Sequence, residues 1–395
     1  MGNGFTKHEA PTRRDYVKYS GALVGGSLLA GCSGDGSPST PTDTATSTET
    51  TTSTTTTNES YTVSIEPAGE VSFDTIPETW IANNGSWADM GIALGQEPPL
   101  GLWRPNRYHT HIYDEIPGVS VDKSQIVELF GTALDKEQFY SLDADVHVID
   151  PNFVLARSKW EQADLDEVSE NIGPIFGNSI FTHAYPWHED YRYYTLYEAF
   201  EKLSRVFQAQ DRYEAFATLH DEVRGEIQQR LPPESERPSV AILLVTSDQP
   251  EEFYPYPVNE GTAYKQWRDL GASSALKDSG IADYFAAGNT IDYEALTEAD
   301  PDILLMWDGT GRFERMTRDE FQSNVLAFMQ EHDVASQLTA VENGDVYRGA
   351  GLYQGPIINL VWTERGAWQL YPDEFDWGEQ LFDRQRVADI INGNL

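Results

Sequence analysis

The sequence contains very little cysteine and few basic residues. Its 395 residues include one cysteine, Cys32, so no intramolecular disulfide can form. The 27 lysines and arginines stand against 64 aspartates and glutamates, which gives a formal net charge of -37. This balance argues against nucleic-acid binding, because no basic stripe is available to neutralise phosphates. It is typical of the strongly hydrated surface of a protein from a halophile.

Motifs of catalysis are also missing. No phosphate-cradling glycine loop, no Gly-x-Ser-x-Gly elbow and no His-Glu-x-x-His zinc motif occurs in the chain. We therefore expect a protein that is not an enzyme. A lipid-anchored hydrolase and a structural surface-layer protein are the alternatives. The second of these predicts several repeats, whereas the sequence shows a duplication into two similar parts.

The N-terminal residues 1–31 resemble an export signal. Arg13 and Arg14 precede a mildly apolar run, Gly21–Ala30, that is too short to cross a bilayer as a helix. The arginine pair resembles a twin-arginine signal, which exports folded proteins. The four residues that end at Cys32 resemble a lipobox, in which the cysteine receives a lipid. We expect a lipoprotein signal, and an ordinary signal peptide with an incidental cysteine is the alternative.

A low-complexity segment follows at 32–60. It consists almost wholly of Ser, Thr, Pro, Gly and Asp, which cannot bury a core and which predict a flexible stalk open to O-glycosylation. A lipid-tethered stalk in front of a folded body predicts a protein held outside the cell near a membrane.

The middle of the chain predicts two consecutive helices within 191–231. Apolar residues recur there at spacings of three and four, as on the buried face of an amphipathic helix. Asp211 is the candidate N-cap of the second helix, with Glu214 at the capping-box position. Pro232 and Pro233 end it. These helices are expected to connect two lobes.

Strands alternate with helices on both sides of these helices. In the first lobe, 61–190, strands are expected at 79–82, 146–149 and 173–176, and Ser86 is the candidate N-cap of the first helix, with Asp89 at the capping-box position. In the second lobe, 238–395, strands are expected at 240–245, 303–307 and 345–348. This alternation predicts a doubly wound sheet in each lobe.

A repeated segment carries a resemblance to a known family. Its two copies and two C-terminal matches are Leu134–Phe139 followed by Leu142–Val146, Ile291–Leu296 followed by Ala299–Ile303, Leu338–Tyr347, and Leu370–Phe375. In these segments the chain resembles the substrate-binding proteins of ABC importers for iron-siderophore complexes, cobalamin and haem. The resemblance covers roughly residues 76 to 375.

The resemblance implies an architecture and partners. The fold class is α/β, with two doubly wound lobes joined by one long helix and a ligand cleft between the lobes. The implied ligand is an iron(III)-siderophore-like chelate, with cobalamin or haem as alternatives, and the iron is carried within the ligand, so that no intrinsic cofactor is expected. The implied protein is a monomer at the outer face of a halophilic archaeal membrane, and its partner is a permease dimer with ATPase subunits. One exposed glutamate per lobe docks on the permease, at Glu137 and Glu294.

Ligands of doubly wound sheets bind beyond the carboxyl ends of the strands. Aromatic faces suit a large, partly apolar chelate, and arginine suits the anionic oxygens around a ferric centre. By position, the expected ligand contacts are Asn83, Trp87, Arg104, Tyr108, Tyr185, Trp187, Tyr254, Tyr256, Tyr264, Trp267, Arg268, Trp307, Arg312 and Tyr353. Any one of these aromatic residues is equally consistent with packing in a core or between the lobes.

Histidines offer a different chemistry. His109 and His111 are two apart in a segment that reads as extended, and His183 and His188 could join them as ligands of bare zinc or manganese. Axial ligation of haem iron by a histidine or tyrosine is a further alternative. Surface histidines in loops are the simpler explanation, because related binders of bare metal spread their ligands over both lobes and the second lobe offers only His332, within an expected helix. We therefore expect no protein-bound metal and keep these four residues as the alternative.

Overall fold

A computed structural model describes residues 60–130, 134–181, 191–256, 258, 260–277 and 289–395. The expected signal, Cys32 and the stalk as far as residue 59 lie outside the described residues. Tyr185, Trp187, His183 and His188 lie outside them as well. Among the described helices, none combines the length and the apolar character that crossing a membrane requires.

The strands form one hairpin and two sheets. Their bounds are β1 (Tyr61–Ile65), β2 (Gly69–Phe73), β3 (Trp80–Ala82), β4 (Gly101–Leu102), β5 (Val127–Glu128), β6 (Val146–Val148), β7 (Ser239–Val245), β8 (Tyr254–Tyr256), β9 (Ser273–Ser274), β10 (Ile303–Asp308) and β11 (Val346–Arg348). The first-lobe sheet has the order β5-β4-β3-β6 with parallel pairings. The second-lobe sheet has the order β11-β10-β7-β8, with β9 also beside β7, and β8 runs antiparallel to β7.

Helices alternate with these strands, which confirms the predicted α/β fold with two lobes. Their bounds are α1 (Gly85–Ala93), α2 (Lys136–Leu142), α3 (Pro151–Arg157), α4 (Gln162–Asn171), α5 (Leu196–Val206), α6 (Gln210–Arg230), α7 (Lys265–Asp269), α8 (Tyr293–Ala299), α9 (Arg312–Arg315), α10 (Arg318–Phe321), α11 (Ala327–Glu331), α12 (Thr339–Asn343), α13 (Pro356–Leu370) and α14 (Arg384–Ile391). A π-helical turn, Gln322–Leu326, joins α10 to α11. The 3-10 helices are Pro105–Arg107, Thr110–Glu115, Lys123–Gln125, Glu234–Glu236 and Ala335–Gln337.

The repeated segment has the same local structure in both lobes. In the first lobe, Asp135 caps α2 by accepting from the amide of Glu137, and the helix ends at Asp143 in a left-handed conformation. In the second lobe, Asp292 caps α8, which ends at the left-handed Asp300. Short side chains that bond to the backbone suit both kinds of position.

The acidic residue before each buried strand connects neighbouring strands. Asp145 Oδ2 accepts from the amide of Thr79, 2.8 Å away, at the start of β3. Asp302 Oδ2 accepts from the amide of Ser239, 2.7 Å away, at the start of β7. Because both carboxylates sit at the amino ends of their sheets, they leave the carboxyl ends free for other roles.

The two helices predicted within 191–231 are present, but their caps differ from the prediction. Thr195 caps α5 and forms a capping box with Glu198. The N-cap of α6 is Ala209, which has no side-chain acceptor, and Asp211 lies inside the first turn. Gln208, at a φ of 52°, makes the bend between the helices. After the left-handed bend at Gln208, α6 begins at Gln210. This start is two positions earlier than the one that an N-cap at Asp211 would give.

Two further predictions in the first lobe are wrong. The N-cap of α1 is Asn84, whose side chain accepts from the amide of Ser86, so Ser86 is inside the helix. Asp89 forms no capping box and instead contacts α13. The strand expected at 173–176 is reduced to an isolated bridge between His147 and Ile175.

The core is divided by the alternation of side chains along the strands. In β3, Trp80 and Ala82 face a central cluster, whereas Ile81 faces an outer cluster of the first lobe. In β7, Val240 and Ile242 face the same central cluster, and the intervening residues face an outer cluster of the second lobe. The buried faces of α5, α6 and α13 complete the central cluster, which is therefore shared by both lobes.

Candidate functional site

Residues beyond the carboxyl ends of β4 and β10 touch each other across the lobe boundary. Asn106 Nδ2 donates to the carbonyl of Gly309 over 3.3 Å. The guanidinium carbon of Arg107 lies 5.7 Å from the ring centroid of Trp307. Trp103, in the first lobe, lies 6.2 Å from Tyr353, in the second, between ring centroids. The ends of the strands thus meet where binding sites of such sheets are found.

These contacts belong to a group that we call the arginine–aromatic cluster, consisting of Trp103, Arg104, Arg107, Tyr256, Tyr264, Trp307 and Tyr353. Tyr256 packs edge-on against Trp307 at 5.4 Å and against Tyr264 at 5.7 Å. Tyr264, Trp307 and Tyr353 are buried, whereas Trp103, Arg107 and Tyr256 are half-buried and Arg104 is exposed. The cluster therefore has a buried aromatic floor and a rim that carries the two arginines.

The turn that holds the arginines has an unusual backbone. Arg104 adopts a left-handed conformation, with a φ of 53°, directly before Pro105 and the short 3-10 helix that ends at Arg107. A residue before proline usually prefers an extended backbone, so surrounding contacts must hold this turn. This turn carries both arginines, and the guanidinium carbon of Arg104 lies 5.3 Å from the ring centroid of Trp103.

The rim carries two cationic side chains, Arg104 and Arg107. Neither Arg104 nor Arg107 forms an ion pair with any carboxylate in the described part of the chain. Burial raises the pKa of Tyr353 to about 12 and raises that of Tyr256, while the charges of both arginines act in the opposite direction. An anionic ligand with flat or apolar parts would gain charge-assisted hydrogen bonds here without displacing a competing carboxylate.

Asn83 is buried at the carboxyl end of β3. Its backbone amide donates to the carbonyl of Val148 over 2.7 Å. Its side-chain oxygen and nitrogen have no hydrogen-bond partner among the described residues, although the residue is fully buried. A buried amide without partners requires an explanation, because such a group costs free energy. Its position after β3 is consistent with a polar contact to a ligand or to water.

Several predicted residues have other roles. Trp87 is buried in α1 and donates to the carbonyl of Asn178 over 3.2 Å. Tyr108 is buried and shares a 2.6 Å hydrogen bond with Tyr113. Trp267 packs where a Cβ on Gly366 of α13 would lie. These three aromatic residues are packed inside the protein, which is the alternative to ligand contact that the sequence left open.

The remaining predicted residues of the second lobe lie outside the cluster. Arg268 donates to the carbonyls of Ala263 and Gly261, at 3.1 and 2.6 Å. Arg312 forms a 2.6 Å ion pair with Asp248. Tyr254 is half-buried and stands opposite Leu244 in the β7–β8 ladder. Of the expected residues, Arg104, Tyr256, Tyr264, Trp307 and Tyr353 are brought together.

Two members of the cluster, Trp103 and Arg107, lie in the segment 101–113 that the carboxyl-end rule selects, but they were not named among the individual expected contacts. Trp103 directly precedes Arg104 and Arg107 follows it by three residues, just after β4, but this strand has only two residues and no recognisable apolar run. The signal that could have found them is the pair of arginines on either side of Pro105, in a chain where basic residues are scarce.

The histidines do not form a metal site in the described residues. The segment of His109 and His111 begins a 3-10 helix and is not extended, and the two rings meet edge-to-face at 5.9 Å. Burial lowers the pKa of His109 to about 3 and that of His111 to about 4. No group of three or more potential ligands surrounds them within the described ranges. His183 and His188 lie outside those ranges.

Glu137 and Glu294 occupy equivalent places. Each is exposed and lies in the first turn of its helix, α2 or α8, whose caps are alike. Neither forms an ion pair with a described residue. The duplication thus presents one free carboxylate on each lobe.

Comparisons with known proteins agree with this architecture. A protein-family model described as periplasmic binding protein matches residues 146–351. Comparison with curated protein sequences gives no match.

Solved structures with the same fold include three from bacteria. A periplasmic solute binding protein from Veillonella parvula has a TM-score of 0.55 and 16% identity, and the match covers 85% of this chain and 92% of that one. VctP, the periplasmic catecholate-siderophore binding protein of Vibrio cholerae, has a TM-score of 0.53 and 17% identity, and the match covers 80% of this chain and 100% of that one. PiuA, the substrate-binding protein of an iron uptake ABC transporter from Streptococcus pneumoniae, has a TM-score of 0.53 and 14% identity, and the match covers 78% of this chain and 98% of that one. Identities this low show a shared fold and do not carry over a ligand.

Proposed function

This chain belongs to the periplasmic binding protein family, and from that premise we propose that it is the extracytoplasmic solute-binding component of an ABC importer for an iron(III)-siderophore-like chelate. The family and its structural relatives are substrate-binding proteins and not enzymes, as the sequence predicted. The relatives VctP and PiuA, by their descriptions, bind a catecholate siderophore and serve iron uptake, which supports the same ligand class for this chain.

The observation that carries the proposal is the arginine–aromatic cluster. Arg104 and Arg107 supply positive charge at the rim, and neither has a carboxylate partner in the described residues, although acidic residues outnumber basic ones more than twofold in the chain. The half-buried rings of Trp103 and Tyr256 offer apolar surface against which a chelate can pack, and the buried floor of Tyr264, Trp307 and Tyr353 supports them. A ferric siderophore combines these properties, since anionic oxygens surround its metal and organic groups surround the oxygens. Asn83, directly after β3, adds a buried side-chain amide without a hydrogen-bond partner in the described residues.

The rest of the proposal concerns delivery. Glu137 and Glu294 dock on arginines of the permease dimer, one from each lobe, which orients the complex more than it strengthens it. The protein is a monomer, tethered through a lipid on Cys32 after twin-arginine export. The iron is carried within the ligand, so that the protein needs no cofactor of its own. Equivalent positions of the two glutamates in α2 and α8 support the docking role.

A titration of tryptophan fluorescence tests the ligand class. The protein in molar potassium chloride is titrated with a ferric tricatecholate, a ferric trihydroxamate, the same siderophores without iron, cobalamin, haemin and zinc chloride. We expect saturable quenching by a ferric chelate and none by its iron-free form, because Trp103 and Trp307 line the cluster. A response to cobalamin or haemin alone would replace the siderophore by that ligand. A response to zinc alone would point to the histidines.

A further inference from the structure

The N-cap residue of helix α13, in the second lobe, supplies no side-chain acceptor to the first turn. This residue is Gly355, which has no side chain, and Pro356 occupies the first turn. The amides of Ile357 and Ile358 instead donate to Asp89 Oδ2, at 3.1 and 3.0 Å. Asp89 belongs to α1 of the first lobe, so the acceptor that completes α13 comes from across the lobe boundary.

The same face of α1 holds the residues just before α13. Ser86 Oγ accepts from the amide of Gln354 over 3.2 Å. The Cβ of Tyr353 is 3.0 Å from the place where a Cβ on Gly85 would lie. Gly85 and Asp89 are one helical turn apart, and Ser86 adjoins them. Three consecutive residues of the second lobe and the first turn of α13 therefore rest on one short stretch of α1.

Asp89 is fully buried, and no lysine, arginine or histidine among the described residues pairs with it. Its other oxygen, Oδ1, accepts from the hydroxyl of Tyr113 over 2.6 Å, and Tyr113 in turn contacts the hydroxyl of Tyr108. The titratable groups that face it are these two tyrosines and, from α5, Tyr197. The groups of α13 that bond to Asp89 are backbone amides. The positive end of the α13 dipole is thus the main compensation for its charge.

The amide contacts do not depend on the charge of Asp89. If the carboxyl is neutral, its O–H can donate to Tyr113, which can donate to Tyr108, while Oδ2 still accepts from both amides of α13. An asparagine at this position offers the same oxygen and keeps the same geometry. Alanine or any residue without an oxygen at this reach leaves both amides without an acceptor.

We propose that Asp89 is a positioning residue for Tyr353: by capping α13 from the first lobe, it holds the second-lobe wall of the ligand site in place only while the lobes are in contact. The proposal rests on the proposed function for its consequence for ligand, since Tyr353 belongs to the arginine–aromatic cluster. The cap itself is independent of which ligand binds. Separation of the lobes would remove the cap of α13 and release Tyr353 from its position. The ligand site would therefore lose its second-lobe wall whenever the lobes open.

Hydrogen exchange of the ligand-free protein tests the cap. For Asp89→Ala we expect the segment 353–360 to exchange about tenfold faster, while the middle of α6 stays protected. For Asp89→Asn we expect protection close to that of the wild type. Unchanged exchange at Ile357 and Ile358 in Asp89→Ala, or an equal increase in both variants, would overturn the proposal.

A milder variant keeps the test valid if Asp89→Ala does not fold. Ser86→Ala removes the acceptor for the amide of Gln354 and a 3.4 Å contact with the hydroxyl of Thr262, and we expect faster exchange at the amide of Gln354 while α13 stays protected. Unchanged exchange in Ser86→Ala, together with an Asp89→Asn variant that loosens α13, would also overturn the proposal.

Affinity separates a positioning role from a merely structural one. For the ferric chelate that quenches the wild type, we expect Kd to rise about tenfold in Asp89→Ala and to stay within about threefold in Asp89→Asn. Faster exchange in Asp89→Ala with an unchanged Kd would show that the cap does not position Tyr353. If no chelate binds the wild type, the proposed function fails, and hydrogen exchange still decides whether Asp89 caps α13.

Discussion

The imidazole of His109, from the first lobe, fills the space that a Cβ on Gly351 of the second lobe would need. His109 is buried, and its ring packs edge-on against Trp362 of α13 at 5.3 Å. The lobes can approach this closely only because residue 351 has no side chain. This contact is a second junction between the lobes, besides the cap that Asp89 provides for α13.

Replacing this glycine should weaken the protein. We expect Gly351→Ala to lower the free energy of unfolding by about 1–3 kcal/mol, because the added methyl group overpacks the junction against His109. Urea unfolding in molar potassium chloride measures the change. Gly225→Ala is the matched control, since nothing surrounds its Cβ position in α6, and helix propensity should raise stability by about 0.5–1 kcal/mol. Equal effects of both variants would contradict the role of the close approach.

Removing charge from the rim should weaken ligand binding. We expect Arg107→Gln to raise the Kd for an anionic ferric chelate about tenfold or more, because a charge-assisted hydrogen bond is lost. Arg312→Gln is the control, since Arg312 is paired with Asp248 outside the cluster, and its Kd should stay within about twofold. The fluorescence titration measures both. A Kd that Arg107→Gln leaves unchanged would exclude this arginine from the site.

The pH dependence of stability should carry a signature of Asp89. Burial raises the pKa of this carboxyl to about 7 in the folded protein, whereas solvation in the unfolded chain returns it to about 4. Between these values the folded state binds the proton more tightly, so the contribution of Asp89 to stability falls as pH rises from about 4 to about 7. The total is on the order of 4 kcal/mol.

Asparagine at this position removes the titration and keeps the shape. We therefore expect the wild type to lose stability relative to Asp89→Asn as pH rises through that range at constant salt, with the difference levelling off above about pH 7. Chemical unfolding of both proteins between pH 4.5 and 8 provides the comparison. A difference that is constant with pH would mean that Asp89 keeps an ordinary pKa.

A buried ion pair near α14 should be sensitive to the loss of one partner. Glu364 of α13 is fully buried and pairs with Arg384, and it also accepts from the amide of Leu381 over 2.7 Å. We expect Arg384→Met to cost about 3–5 kcal/mol of unfolding free energy, because it leaves a buried carboxylate without its cation.

Neutralising the second partner should recover part of this loss. The double variant Arg384→Met, Glu364→Gln removes both charges, so its stability should lie above that of Arg384→Met alone. Unfolding of the single and double variants provides the measurement. If the double variant is as unstable as the single one, the loss comes from packing of the arginine stem and not from the stranded charge.

Long apolar runs and the repeated segment could be predicted from the sequence, and the junction of the lobes could not. Strands β7 and β10 are continuous apolar runs, so their burial on both faces is evident from sequence. The hairpin β1–β2 and the two-residue strands β4 and β5 carry no such pattern. The caps predicted for α1 failed for a different reason, since Ser86 and Asp89 accept from backbone amides at the start of α13 and just before it, and the sequence does not show such tertiary contacts.

The candidate site was predicted in part for a related reason. The rule about carboxyl ends of strands selected Arg104, Tyr256 and Trp307, which lie near one another in the structure, and their contact with a ligand stays a prediction. The rule cannot separate them from Trp87 or Trp267, because an aromatic side chain is equally suited to a core and to a ligand. The packing of the helices decides which of these aromatic side chains lie near the ends of the strands and which lie in the core.

The central cluster has no boundary at the lobe junction, and this sets the cooperative unit of the protein. Side chains from β3, α5, β7 and α13 share one buried interior, so neither lobe keeps a complete core when the other is lost. Two lobes with separate interiors would melt in two steps, whereas these are expected to melt as one. A lobe expressed alone would present half of that interior to water. The body from Tyr61 onward therefore forms a single folding unit despite its two sheets.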